Sequence, residues 1–93
     1  MNDSGGAHDA RLVYRVIAGD AAARDELLDR HRRSLRQMIA LRLDRRVAPR
    51  VDPSDVVQEA LKDAHQRLPE YLESPPGPFY LWLRRITFDR LAD

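Results

Sequence analysis

Apolar residues recur along this chain at helical spacing, and the pattern calls for no strand. Leu12, Val13, Val16 and Ile17 form the i, i+4 pairs of a short first helix, which Gly19 ends. Asp20 then stands as N-cap to a long second helix. Its carboxylate can accept the orphan amides before Ala21-Ala22-Ala23, and the helix is expected to run to about Leu43. Leu28, Leu35, Met38 and Ile39, with Leu27 and His31 beside them, line one face of it. Arg30, Arg32, Arg33 and Arg36 crowd the others.

Asp52-Pro53-Ser54-Asp55 is the sharpest helix start in the chain: an acidic cap, a proline where no amide is needed, and a carboxylate in the first turn. Val57, Ala60 or Leu61, Ala64 and Leu68 carry this third helix to an expected stop at Pro69. Residues 69–78 hold four of the six prolines together with Gly77, which marks an ordered loop. Pro78 opens a fourth helix with Phe79, Trp82, Leu83 and Ile86 on one side and Tyr80, Arg84 and Arg85 largely elsewhere. The expected fold is a compact all-α domain of four helices over residues 10–93, preceded by a flexible tail at 1–9.

Ninety-three residues close a single core. No stretch approaches a membrane span, the N-terminal residues show no signal region, and cysteine is absent, so a reducing cytoplasmic setting is expected. The net charge of +1 conceals a segregation. Residues 30–50 carry eight Arg against Asp44 alone, whereas residues 51–77 carry six acids against Lys62 and Arg67. A basic block beside an acidic block implies two different partners. The basic block has almost no acids to neutralise it, so it reads either as a surface for an anionic partner, phosphate above all, or as a solvated helix face.

Chemistry of the chain's own is not expected. Asp55 and Glu59 are spaced i, i+4, as are Glu59 and Asp63, but neither pair comes with the Glu-x-x-His spacing of helical di-metal sites. The three histidines read as plain residues: His31 partly buried, His65 exposed, His8 in the tail. No catalytic residue, metal or cofactor is expected. Phe79 and Trp82 read as core. Tyr71 and Tyr80 sit in and just beyond the proline-rich loop, near Arg84 and Arg85, where rings and guanidinium groups can hold unstacked bases.

Asp52-Pro53-Ser54-Asp55-Val56-Val57-Gln58-Glu59-Ala60-Leu61, a proline-bearing loop and Pro78-Phe79-Tyr80-Leu81-Trp82-Leu83-Arg84-Arg85-Ile86 together resemble region 2 of bacterial extracytoplasmic-function (ECF) RNA polymerase sigma factors. The resemblance covers about residues 10–93. It implies a helical domain that binds the clamp helices of the polymerase largest subunit and captures the melted minus-ten promoter element. Matched by position, Asp55, Gln58 and Glu59 become polymerase contacts. Tyr71, Tyr80, Arg84 and Arg85 become contacts to the non-template strand, and Arg42, Arg45 and Arg46 phosphate contacts. An anti-sigma factor is a further implied partner; no membrane is. Asp89 departs from the family, many of whose members carry Asn near that position, so promoter specificity is not carried over. Against that family the chain stops within the segment expected to meet the upstream promoter duplex, so it is not expected to initiate transcription alone. The competing expectation is a helical protein-interaction domain that binds no DNA.

Overall fold

In the computed structural model, residues 3–43 and 51–92 are described. They form five helices: α1 (Asp3–Ile17), α2 (Ala21–Asp29), α3 (Arg32–Arg42), α4 (Pro53–Glu73) and α5 (Phe79–Ala92). The all-α class is as expected, and no strand occurs among the described residues.

The α1–α2 joint follows the sequence closely. Gly19 takes φ +97°, the left-handed region that L side chains rarely adopt. The chain can then fold back so that the Gly19 amide donates to the Val16 carbonyl (2.9 Å) and the Asp20 amide to that of Arg15 (3.0 Å). Asp20 opens α2 by accepting from the Ala23 amide at 3.1 Å, and the Arg15 guanidinium holds its other oxygen at 2.8 Å. The Arg15 bond first, and the Ala23 amide second, lower the Asp20 pKa below the ordinary carboxylate range.

Three expectations about helix boundaries are corrected. The single helix from Ala21 to Leu43 is two helices, parted at Arg30-His31. His31 lies at φ −100°, ψ 0°, off the helical geometry, and its ring turns toward α1. Residues 3–9, expected as a tail, belong to α1, and Asp9 is buried. The third helix passes through Pro69 and continues to Glu73, gaining Tyr71 as a buried residue. Proline at that point forfeits one intrahelical hydrogen bond. Burial of Leu68 and Tyr71 on either side of it holds the helix together.

α4 is the central element, packed against α5, α3 and α2, while α1 lies on α2. Its buried stripe of Val57, Ala60, Leu61, Ala64 and Leu68 meets Leu35 and Ile39 of α3, Leu27 and Leu28 of α2, and Leu83 and Ile86 of α5 in one core. Ala23, Ala60 and Ala64 are fully buried, and their small side chains let the backbones approach closely. Asp52 caps α4 as predicted, accepting from the Ser54 amide at 2.9 Å with Pro53 in the first turn. Thr87, fully buried on α5, satisfies its hydroxyl by donating to the Leu83 carbonyl at 2.9 Å.

Candidate functional site

Two surfaces lie toward opposite ends of α4. Near its start, Asp55, Gln58 and Glu59 are all exposed. At 100° per residue they fall within about 100° of arc, opposite the buried stripe. Gln58 lines a groove of about 640 Å³ between α2 and α4, which Asp25, Glu26 and Asp29 border from the α2 side, Arg32 from α3, and Lys62 and His65 from α4. Glu59 is turned the other way, its Oε1 3.5 Å from Arg90 Nη2 of α5, on an open surface where such a pair adds little. α2 therefore adds acids to a face that the sequence assigned to α4 alone.

At the other end of α4, three rings tie the proline-rich loop down. Tyr71 meets Phe79 edge-on (centroids 5.4 Å, 85°) and packs against Trp82 at 4.9 Å. The Tyr71 hydroxyl donates to the Gly77 carbonyl at 2.9 Å, which closes the loop onto the helix it leaves. Burial, and after it the negative charge of Asp9, raises the Tyr71 pKa and keeps the hydroxyl a donor. The sequence placed Tyr71 among the strand contacts; the residue is 6% exposed here and serves to shape the loop. Trp82 is half-buried against the same rings, as a core peg should be.

The loop borders a groove of about 890 Å³. Ala10, Val13, Tyr14 and Ile17 of α1 form one wall, and Pro78, Phe79 and Tyr80 the other. Asp9, Arg30, His31 and Ser34 supply polar groups between them. Tyr14 and Ile17 are 75% and 60% exposed, a cost in hydrated apolar surface that the core does not require. Asp9 accepts from Arg30 and from His31, whose Nε2 lies 2.9 and 3.0 Å from its two oxygens. Sequence reasoning missed Asp9 and the α2–α3 joint, because nothing in the local pattern links the start of the chain to His31.

From this groove a stripe runs along α5. Tyr80, Arg84 and Phe88 follow one another at i, i+4 and so share a face. The guanidinium groups of Arg42, from the end of α3, and Arg84 both lie over the Phe88 ring, 4.7 and 5.2 Å from its centroid. The structure thus brings together Tyr80, Arg84 and Arg42 of the predicted set and adds Phe88, whose i+4 spacing from Arg84 was readable. Arg85 points away, 80% exposed with Asp89 4.0 Å from it. Arg45 and Arg46 lie outside the described residues.

The described part of the basic block seen in the sequence does not form one face. Arg30 turns inward to Asp9, and Arg32 pairs with Asp29 at 2.9 Å. Arg33 and Arg36 flank the start of α4 beside Ser54 and Gln58, and among the described residues of the block Arg42 reaches the α5 stripe. Among the described residues no group of three His, Asp or Glu side chains is placed to hold a metal ion, and no helix is long and apolar enough to cross a membrane. Comparison with protein-family models, curated proteins and solved structures finds no match for this chain.

Proposed function

We propose that this chain is a sigma-type transcription initiation module. It binds the clamp helices of RNA polymerase through the outer arc of α4 and holds melted minus-ten promoter DNA in the groove and along α5. The observation that carries the reading is the Tyr80-Arg84-Phe88 stripe with Arg42 laid over it, leading out of an aromatic-walled groove. Alternating rings and guanidinium groups suit a single strand, whose bases stack and whose phosphates seek cations. The acidic arc, extended by α2, suits a basic helical partner. In this reading the module works in the cytoplasm, carries no catalytic group and needs no cofactor.

The test has two arms. Wild type is expected to bind a clamp-helix fragment of the polymerase largest subunit, and Gln58→Ala/Glu59→Lys to lose that binding. Equal binding by both sinks the assignment of the α4 arc. Wild type is also expected to bind single-stranded oligonucleotides with an affinity that falls as salt rises, the slope easing by about 0.7 for each phosphate-contacting Arg removed. Binding that ignores salt, or none, favours the other reading, a protein-interaction domain without DNA binding. The exposed Tyr14 and Ile17 are the observation on its side.

A further inference from the structure

We propose that His31, oriented by Asp9, reads the edge of a nucleobase held in the groove and favours bases that carry an exocyclic amino group. The inference rests on the nucleic-acid reading above and adds to it a residue that determines which base is accepted.

The ring of His31 is fixed on three sides. It lies at the joint between α2 and α3, with its centroid 5.1 Å from that of Tyr80 and 5.9 Å from that of Phe79. Its side chain is 12% exposed, and that of Asp9 behind it 10%. A carboxylate buried to that extent needs compensation, and Arg30 already provides a charged partner. The contact with His31 therefore does something besides neutralising Asp9: it sets the imidazole. Facing both carboxylate oxygens, Nε2 must be the nitrogen that bears the proton, so in the neutral ring Nδ1 is left with a lone pair. Nδ1 has no hydrogen-bond partner among the described residues. A carboxylate behind a histidine, fixing both its tautomer and its orientation, is how imidazoles are commonly prepared to act on a ligand.

What such a group selects follows from hydrogen-bond chemistry. Flat rings enter between Tyr14 on one wall and Phe79 and Tyr80 on the other, and any base can stack there. His31 lines the groove, and its Nδ1, as an acceptor there, pairs with the exocyclic amino group of cytosine, adenine or guanine. Thymine offers two carbonyl oxygens around its one N–H, and their lone pairs oppose that of Nδ1. One neutral hydrogen bond made or lost corresponds to about a five- to tenfold difference in affinity.

The experiment uses the whole chain and labelled single-stranded oligonucleotides that differ only at one central base, read by fluorescence anisotropy. Wild type is expected to bind the cytosine- or adenine-centred strand about fivefold more tightly than the thymine-centred one. His31→Phe keeps a ring against Tyr80 and Phe79 but removes both nitrogens, and is expected to bind all strands alike. Asp9→Asn, which unfixes the tautomer, is expected to reduce the preference. The wild-type series stands as a test even if neither variant folds. Equal affinity across bases, a preference for thymine, or a preference that survives in His31→Phe overturns the proposal while leaving the nucleic-acid reading in place. No binding to any strand overturns both.

Discussion

Replacing Tyr71 by phenylalanine removes one oxygen atom and leaves the ring in place against Phe79 and Trp82. The oxygen makes the 2.9 Å hydrogen bond that closes the proline-rich loop onto α4. Its acceptor, the carbonyl of Gly77, is half-buried and can regain water in the variant, so the penalty for an orphaned buried acceptor is largely avoided. What remains is the net value of the bond, about 1 kcal/mol. In a domain of this size that lowers Tm by about 4–8 °C. Thermal unfolding followed by circular dichroism at neutral pH measures it directly. A second signature separates the hydroxyl from general loss of packing. Because the pKa of Tyr71 is raised in the folded state, its contribution is fully present below the ordinary tyrosine value of about 10 and is lost as pH climbs through the folded value. Wild type should therefore lose its advantage over Tyr71→Phe in alkali. Equal melting at neutral pH, or a gap that stays constant through the alkaline titration, refutes the clasp.

Asp20→Asn keeps a capping oxygen for α2 but gives up the charged pair with Arg15. Since the folded pKa of Asp20 is lowered, its contribution is present above the ordinary carboxylate value and is lost as pH falls through the folded one. The variant's melting temperature should vary less than that of wild type across that acid range, and identical acid profiles count against the pair. Pro69→Ala restores the amide missing from α4, a gain partly offset by a more flexible unfolded chain, and should raise stability by about 1–2 kcal/mol in urea titration. A loss instead means that the ring at Pro69 shapes the helix end.

Where the controlling interactions are local, the chain could be read directly. Gly19-Asp20 and Asp52-Pro53 set their joints through backbone freedom and capping, both properties of a few adjacent residues, and the structure follows them. The break at Arg30-His31 could not be read that way. No glycine or proline lies there, and it is Asp9, more than twenty residues earlier, that draws both side chains toward α1. For the same reason Asp9 was hidden in a presumed tail. Pro69 misled in the opposite sense, because a local breaker is outweighed by the burial of Leu68 and Tyr71. At the candidate site, the exposed arc of Asp55, Gln58 and Glu59 follows from helical periodicity alone. The groove does not, since its walls come from α1 and α5, elements whose meeting depends on tertiary packing.

The unbroken course of α4 has a consequence for how its two ends can be used together. Asp55 lies sixteen residues from Tyr71, or about 24 Å along the axis, within one continuous helix. Two ligands held by one larger assembly can engage both ends only if the assembly presents them at that spacing, and the second contact is then effectively intramolecular. Length is the lesser constraint. One residue inserted in α4 shifts its far end by about 1.5 Å but rotates it by about 100°, so the outer arc and the groove would no longer face their ligands at the same time. The helix fixes phase more strictly than distance.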